Sequence, residues 1–256
     1  MLTVVDLSHI EYSSVFISKF DFVLAKEILL NWISKFRPET VFACDSGLSG
    51  RDILFPEYKK TRRDYSLDGS KITNEDERLE DLRLRSEFRK VRDEFRRVVS
   101  QQFRVLFSQG YEADDVIATI VKHSRSTDEV LIVASDRDLY PLLSDRVYIK
   151  TPHEIVTFES FYKKYALDPL YFVDLRSMTG DEADNVKGVY SIGEKRGLGI
   201  LYEYETLENV LSGPRTGVAP KVEKYAELTR KSADKVLLNY KVLSLISTLV
   251  LRRFSV

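Results

Sequence analysis

Short apolar runs that stop at an acid recur along this chain. Residues 3–7 read TVVDL, residues 40–45 read TVFACD and residues 130–136 read VLIVASD. Continuous Val- and Ile-rich runs of this length, alternating with helical stretches, predict strands of a mainly parallel sheet covered on both faces. One helix is predicted over DFVLAKEILLNWISKF (21–36), where Val23, Ile28, Leu29, Trp32, Ile33 and Phe36 recur at helical spacing. In open α/β sheets, ligands sit beyond the carboxyl ends of the strands. Asp6, Asp45 and Asp136 stand at those ends.

Residues 59–80, KKTRRDYSLDGSKITNEDERLE, lack apolar periodicity and predict a loop or insertion. A long helix follows from near Leu82. Leu84, Phe88, Val91, Phe95 and Val98 mark its apolar face, and Arg85, Arg89, Arg92 and Arg96 mark a neighbouring basic stripe. That stripe reads first as a solvated face, partly paired with Glu87, Asp93 and Glu94, and second as a contact for a polyanion. Beyond about residue 175 the pattern changes to short helices and glycine turns, GDEADNVKGVYSIGEKRGLGIL, with a mainly helical tail from about 219. No flexible linker interrupts the chain, so the second region is expected to pack on the first.

Composition narrows the chemistry. The single cysteine, Cys44, excludes an internal disulfide and fits a reducing compartment. His9, His123 and His153 are too few and too scattered for a zinc site, so any metal would be a hard cation held by oxygen. No secretory signal opens the chain and no apolar run is long enough to span a bilayer. With 256 residues, one large domain or two small ones are possible. A formal net charge of −1 argues against general polyanion binding, but basic residues outnumber acids between Lys59 and Arg104, which permits a local nucleic-acid surface.

The acids are the informative residues. In GYEADDVIATIV (110–121), Glu112, Asp114 and Asp115 crowd a predicted helix start, with Glu112 and Asp115 three apart on one face. Asp136 and Asp138 flank a strand end, and Asp181 and Asp184 are again three apart. Any single pair reads first as a helix cap or a surface ion pair. Their recurrence at element ends, with Asp6 and Asp45, points to one shared site. Like charges a few ångströms apart cannot all stay ionised without counter-cations. Mg²⁺ takes a few carboxylates and leaves positions for phosphate oxygens, and two such ions suit phosphodiester cleavage. The Asp-x-Asp stretches lack the spacing of a calcium-binding EF-hand loop.

GYEADDVIATI, ASDRDLYPLL and MTGDEADNVKGVYSIGEKRG, preceded by FACDSGLSGRDILFPEYKKTR, resemble in order and spacing the motifs of the 5′-nuclease family. That family includes flap endonucleases, the 5′-3′ exonuclease domain of bacterial DNA polymerase I and stand-alone phage flap endonucleases, which this chain resembles most in form. The resemblance covers roughly residues 3–200. It implies a PIN-like α/β nuclease core over 1–175 with a helical arch at about 57–92. A helix-hairpin-helix-type DNA-binding region with C-terminal helices would occupy 176–256, packed on the core.

By the same resemblance Asp6, Asp45, Glu112, Asp114 and Asp136 form a nearer metal site, and Asp138, Asp181 and Asp184 serve a second, with Asp115 also among the family acids. Lys59 and Arg62 match basic residues at the arch base that face the scissile phosphate. Together with Asp114 and Asp136 they are the expected catalytic residues. Tyr58 is a candidate stacking platform for an end base or a packed aromatic beside Phe55. Arg85 and Arg89 on the long helix, and Gly188, Gly193, Lys195 and Arg196 at the hairpin turn, are the expected DNA contacts.

The implied cofactors are two Mg²⁺ ions, replaceable by Mn²⁺, and K⁺ at the hairpin turn. The implied partner is DNA with 5′ flaps, nicks or ends, extending to RNA–DNA hybrids. A monomer without membrane contact is expected, working in a bacterial or phage-infected cytoplasm to remove flaps or RNA primers during replication. Leu7 and Ser191 depart from the family pattern, each standing where many members have glycine. The alternatives are a metal phosphohydrolase of small phosphate esters and an inactive DNA-junction-binding protein. The basic stretch and the hairpin turn argue against the first, and the complete acid set against the second.

Overall fold

The computed structural model describes residues 1–47, 49–60, 65, 67 and 70–254, and its apolar runs form the middle of a seven-stranded sheet. In chain order, β1 (Leu2–Asp6) leads into α1 (Leu7–Ile17) and α2 (Phe22–Ile33). Then come β2 (Val41–Ala43), the short α3 (Arg51–Leu54), the long α4 (Glu75–Gln102), β3 (Arg104–Phe107), α5 (Ala113–His123) and β4 (Val130–Val133). β5 (Val147–Lys150) and β6 (Ile155–Val156) are followed by α6 (Phe158–Tyr165), α7 (Phe172–Thr179) and a small hairpin of β7 (Gly180–Asp181) and β8 (Val186–Lys187). α8 (Glu194–Tyr204), α9 (Leu207–Ser212), α10 (Pro220–Lys231), α11 (Ala233–Leu243) and β9 (Arg252–Arg253) complete the chain.

The strand order is β6-β5-β4-β1-β2-β3-β9. β1 runs parallel to β2, with Val5 opposite Phe42, and parallel to β4, with Val4 opposite Ile132. The pairs β2–β3 and β4–β5 are also parallel, while β6 and β9 close the two edges antiparallel. Successive strand residues enter opposite layers. Val5, Phe42 and Val105 pack with Ile10, Leu29 and Phe95 of α1, α2 and α4. Val4, Val41, Ile132 and Ile149 pack on the other side with Val116 and Ile117 of α5 and with Leu175, Ile200 and Val236 of the C-terminal helices. The expected α/β class with a mainly parallel sheet is therefore what folds.

Several boundaries differ from the sequence pattern. β1 ends at Asp6, because the Asp6 carboxylate accepts a hydrogen bond from the His9 amide at 3.0 Å and so caps α1. The polar stretch expected to run to residue 80 ends sooner. Asn74 caps Glu77 N at 2.9 Å, and Glu75, Asp76 and Glu77 lie in the first turn, where acids complement the helix dipole. α4 then runs unbroken for 28 residues, about 42 Å at 1.5 Å per residue. The tail is not wholly helical either. β9 returns to pair with β3, Leu106 opposite Arg253, and Phe254 packs in the α1–α2–α4 layer.

Helix α11 is tied across to the hairpin. Asn239 Nδ2 donates to the carbonyls of Ser177 and Lys187 at 3.0 and 3.1 Å. Among the described residues no helix is long and apolar enough to cross a membrane.

Candidate active site

The expected acids meet where the parallel strands end. Asp6 closes β1, Asp45 lies just past β2, and Asp136 follows β4 as the cap of a short 3-10 helix, accepting from Asp138 N at 2.9 Å. Asp45 Oδ1 accepts from Ala113 N at 2.8 Å, which fixes the start of α5 against β2. Glu112 is the N-cap residue of α5 and Asp114 lies in its first turn. Asp181 and Asp184 come from the β7–β8 hairpin, and Asp138, Asp181 and Asp184 each offer a carboxylate oxygen within 4.8 Å of the others.

Crowding shows in the protonation of these groups. Burial, and then the Asp45 and Asp136 carboxylates, push Asp6 up to about 8. Burial and then Asp136 push Asp138 up to about 7. Asp114 is raised well above the usual carboxylate range, by burial first and then by Asp136 and Asp6. Its Oδ1 is buried without a hydrogen-bond partner. An orphaned carboxylate oxygen among acids that are forced to hold protons is the signature of a place for cations. The donor set is all oxygen, which suits hard divalent ions.

Fixed cations rim this group. Lys59 Nζ lies 2.6 Å from Glu112 Oε1 and 3.8 Å from Asp184 Oδ2, with Lys59 in the left-handed backbone region at φ +53. Arg51 Nη1 lies 3.2 Å from Glu112 Oε2. Burial alone would raise Glu112, but Lys59 and Arg51 outweigh it and hold the carboxyl below its ordinary value. Arg176 pairs with Asp181 and lies 3.4 Å from Asp138.

Some expected residues have other surroundings. Asp115 shares a helix with Glu112 and Asp114, but it is fully buried. Its carboxylate takes the Arg51 fork at 2.6 and 2.8 Å and the Ile246 amide at 2.9 Å. Those three contacts and its full burial place it in an internal ion pair, apart from the carboxylate group. Tyr58 is only 4% exposed, packed with Val186, Val242 and Leu243. Its hydroxyl lies 3.1 Å from Glu112 Oε2 and 3.0 Å from Asp184 Oδ2, so the ring is a packed support and no platform for a base.

On α4, Arg85 is engaged by Asp81 at 2.6 Å, whereas Arg89 is exposed. At the hairpin turn Gly193, Lys195 and Arg196 are exposed around the start of α8. Ser191 adopts φ +64, the left-handed conformation that glycine takes more readily, and its carbonyl accepts from the Arg196 guanidinium. Gly188 has a packing reason of its own, since a Cβ there would sit 2.2 Å from the Thr179 carbonyl oxygen. Arg62 lies outside the described residues.

The match to known families agrees with this geometry. A model of the 5′-3′ exonuclease N-terminal resolvase-like domain covers residues 22–166, and one of the 5′-3′ exonuclease C-terminal SAM fold covers residues 167–253. The chain belongs to the 5′-3′ exonuclease family. Among relatives, a 5′-3′ exonuclease of Mycoplasmopsis pulmonis is 33% identical over 141 residues, spanning 54% of this chain and 47% of that protein. The thermostable DNA polymerase I of Thermus thermophilus is 48% identical over 104 residues, 40% of this chain and only 12% of the polymerase.

Among solved structures, the T5 D15 protein co-crystallised with metal ions superposes with a TM-score of 0.71 at 25% identity, over 96% of this chain and 89% of that one. The T5 D15 flap endonuclease in a product complex with DNA and metal ions gives a TM-score of 0.69 at 23% identity, over 96% and 89%.

Within this family frame, Lys59 at the rim is expected from the sequence, and Arg51 and Arg176 are not. Arg51 opens the four-residue α3 just after Ser49 and Gly50, and Arg176 sits in the mixed helix FVDLRSMT. The only signal for Arg176 is its place five residues before Asp181.

Proposed function

We propose that the chain is a divalent-metal-dependent nuclease that cleaves phosphodiester bonds near 5′ ends, flaps and nicks in DNA. The supporting observation is the gathering of carboxylates from β1, β2, α5, β4 and the β7–β8 hairpin, with Asp114 Oδ1 buried and unpartnered among them. Asp6, Asp45, Glu112, Asp114 and Asp136 are assigned to one ion, and Asp138, Asp181 and Asp184 to a second. Mg²⁺ bound there, or Mn²⁺ in its place, would lower the pKa of an attacking water and neutralise charge on the leaving oxygen.

The chain's own residues do the remainder. Lys59, at the rim of the acid group, supplies positive charge to the non-bridging oxygens of the scissile phosphate, with Arg62 as a second cation. Tyr58 and Arg51 hold Glu112 in place from behind. Arg176 orients Asp181 and Asp138. Arg85 and Arg89 on α4 meet the backbone of the strand led to the site. The exposed amides at the start of α8, with Gly188, Gly193, Lys195 and Arg196, meet the duplex. At that turn the Ser191 carbonyl accepts from the exposed Arg196 guanidinium, which K⁺ held by backbone carbonyls there would have to displace.

The likeness to the T5 flap endonuclease complex with DNA and metal ions supports this substrate class. The proposed role is removal of flaps or RNA primers during phage replication, by a monomer in the infected cytoplasm, with RNA–DNA hybrids among its substrates. The test is cleavage of end-labelled 5′-flap, nicked and RNA–DNA duplexes, with Mg²⁺ and with chelator, beside a small aryl phosphate ester. Metal-dependent cutting near the junction is expected. Turnover of the small ester alone, or cutting that survives chelation, would refute the reading.

A further inference from the structure

The basic stripe of α4 does not stay on the surface. Arg96 is 5% exposed and Glu11 of α1 is fully buried, and the two form a two-point pair with Nε–Oε1 and Nη2–Oε2 both 2.9 Å. That pair would satisfy itself without further contacts. Yet the other edge of the same guanidinium reaches past it, Nη1 donating to the Asp45 carbonyl at 2.9 Å and Nη2 to Ser8 Oγ at 3.3 Å. Ser8 Oγ in turn accepts from the Asp45 amide at 3.0 Å. The peptide on both sides of Asp45 is thus gripped, its N–H by Ser8 and its C=O by Arg96, while its Oδ1 is held by Ala113 N at 2.8 Å. Asp45 Oδ2 is the oxygen left to a cation.

We infer that Arg96 is a positioning residue for Asp45, and that Arg96 and Ser8 set the affinity of the nearer ion site. The inference rests on the proposed metal-dependent reading. Buried ion pairs add little net stability compared with apolar packing, because desolvation offsets the attraction. What this one adds is direction. Groups that orient a ligand from behind commonly change metal affinity by about 10–100-fold when removed. A lysine could keep the attraction to Glu11 but cannot reproduce the fork, because its ammonium is a single point of charge.

The same residue makes α4 a structural partner of the ion site. The helix that carries Arg85 and Arg89 also carries the group that holds the Asp45 backbone, so a displacement of α4 is felt at a carboxylate. No other contact described above links the basic helix to the acid group so directly.

The test is a Mn²⁺ titration of the metal-free protein without nucleic acid, following free Mn²⁺ by electron paramagnetic resonance, for wild type, Ser8→Ala and Arg96→Lys. Weaker binding by about tenfold is expected at the nearer site in both variants, with cleavage by Ser8→Ala restored by excess Mn²⁺. The thermal midpoint of Ser8→Ala in chelator should stay close to wild type. Wild-type Mn²⁺ affinity in Ser8→Ala would overturn the inference that this grip on Asp45 sets the ion affinity. If Arg96→Lys does not fold, Ser8→Ala still decides. Failure of the wild-type protein itself to bind Mn²⁺ would sink the metal-dependent reading instead.

Discussion

Arg51 and Asp115 lock together through both terminal guanidinium nitrogens, Nη1–Oδ2 at 2.6 Å and Nη2–Oδ1 at 2.8 Å, with Asp115 fully buried. Arg51 also donates to the carbonyls of Val242 and Ser244 at 2.7 and 3.2 Å. One ion pair therefore joins α3, the start of α5, the last turn of α11 and the segment that follows it. It separates two neighbouring acids into different tasks: Asp114 faces the carboxylate group, and Asp115 faces the C-terminal segment.

Asp115→Ala should therefore damage stability and spare ion binding. Removing one partner of a buried pair leaves the other charge uncompensated, at a cost of about 3–5 kcal/mol. Urea unfolding in chelator should show that loss, while Mn²⁺ affinity below the transition stays near wild type. Loss of Mn²⁺ binding with unchanged stability would mean that Asp115 is a ligand after all.

Asp136→Asn and Asp181→Asn should cut cleavage to near background and leave duplex binding largely intact. Each removes a carboxylate from the shared group without touching the exposed start of α8. Gel-shift and cleavage measurements on one flap substrate separate the two effects. Undiminished turnover by both variants in Mg²⁺ contradicts the site assignment.

Asp6→Asn tests crowding directly. Asparagine keeps an oxygen to accept from His9 N, so the α1 cap survives. What disappears is the cost of forcing a carboxyl beside Asp45 and Asp136 to hold a proton that the unfolded chain would release. The chelated variant should unfold at higher urea than wild type, while its cleavage is nearly lost. A fall in stability would contradict the crowding explanation.

The metal-free protein should lose stability as pH rises. Asp6 holds its proton up to about 8 and Asp138 up to about 7 in the fold, against about 3.9 in an unfolded chain. The folded state thus binds more protons across that window, and stability falls with increasing pH. The contribution is complete below about pH 4 and lost as pH passes the folded values. Urea midpoints at pH 5, 6.5 and 8 in chelator should decline for this reason, and added Mg²⁺ should flatten the slope. A rising series in chelator would contradict it.

The two glycines of the hairpin region should respond differently. A Cβ at Gly188 meets the Thr179 carbonyl oxygen at 2.2 Å, so Gly188→Ala forces backbone movement, at a cost of about 1–3 kcal/mol. A Cβ at Gly193 meets nothing within 4 Å. Gly193→Ala should fold as wild type, and any effect should appear only in duplex affinity. Equal stability of both variants would remove the packing explanation for Gly188.

What was legible in the chain follows from range. The runs ending in Asp6, Asp45 and Asp136 are local patterns, and the sheet centre could be read from them. β9 could not, because Arg252–Arg253 has no apolar run and becomes a strand only by pairing with β3. Helical spacing put Glu112 and Asp115 on one face with Asp114 beside them, whereas in the fold Asp114 is the one crowded by Asp136 and Asp6. The same spacing gave Asp115 no reason to differ, since its partner Arg51 is 64 positions away. Arg96 illustrates the limit equally well. A stripe of arginines at 4-3-4 spacing cannot say which member meets water and which meets a buried glutamate contributed by α1.

Helix α4 has neither glycine nor proline among its 28 residues, and sharp kinks in helices almost always need such a break. It is a stiff connecting rod. A force applied near Arg85 reaches Arg96 without being absorbed on the way, so the grip on Asp45 is geared to whatever leans against the far half of the rod.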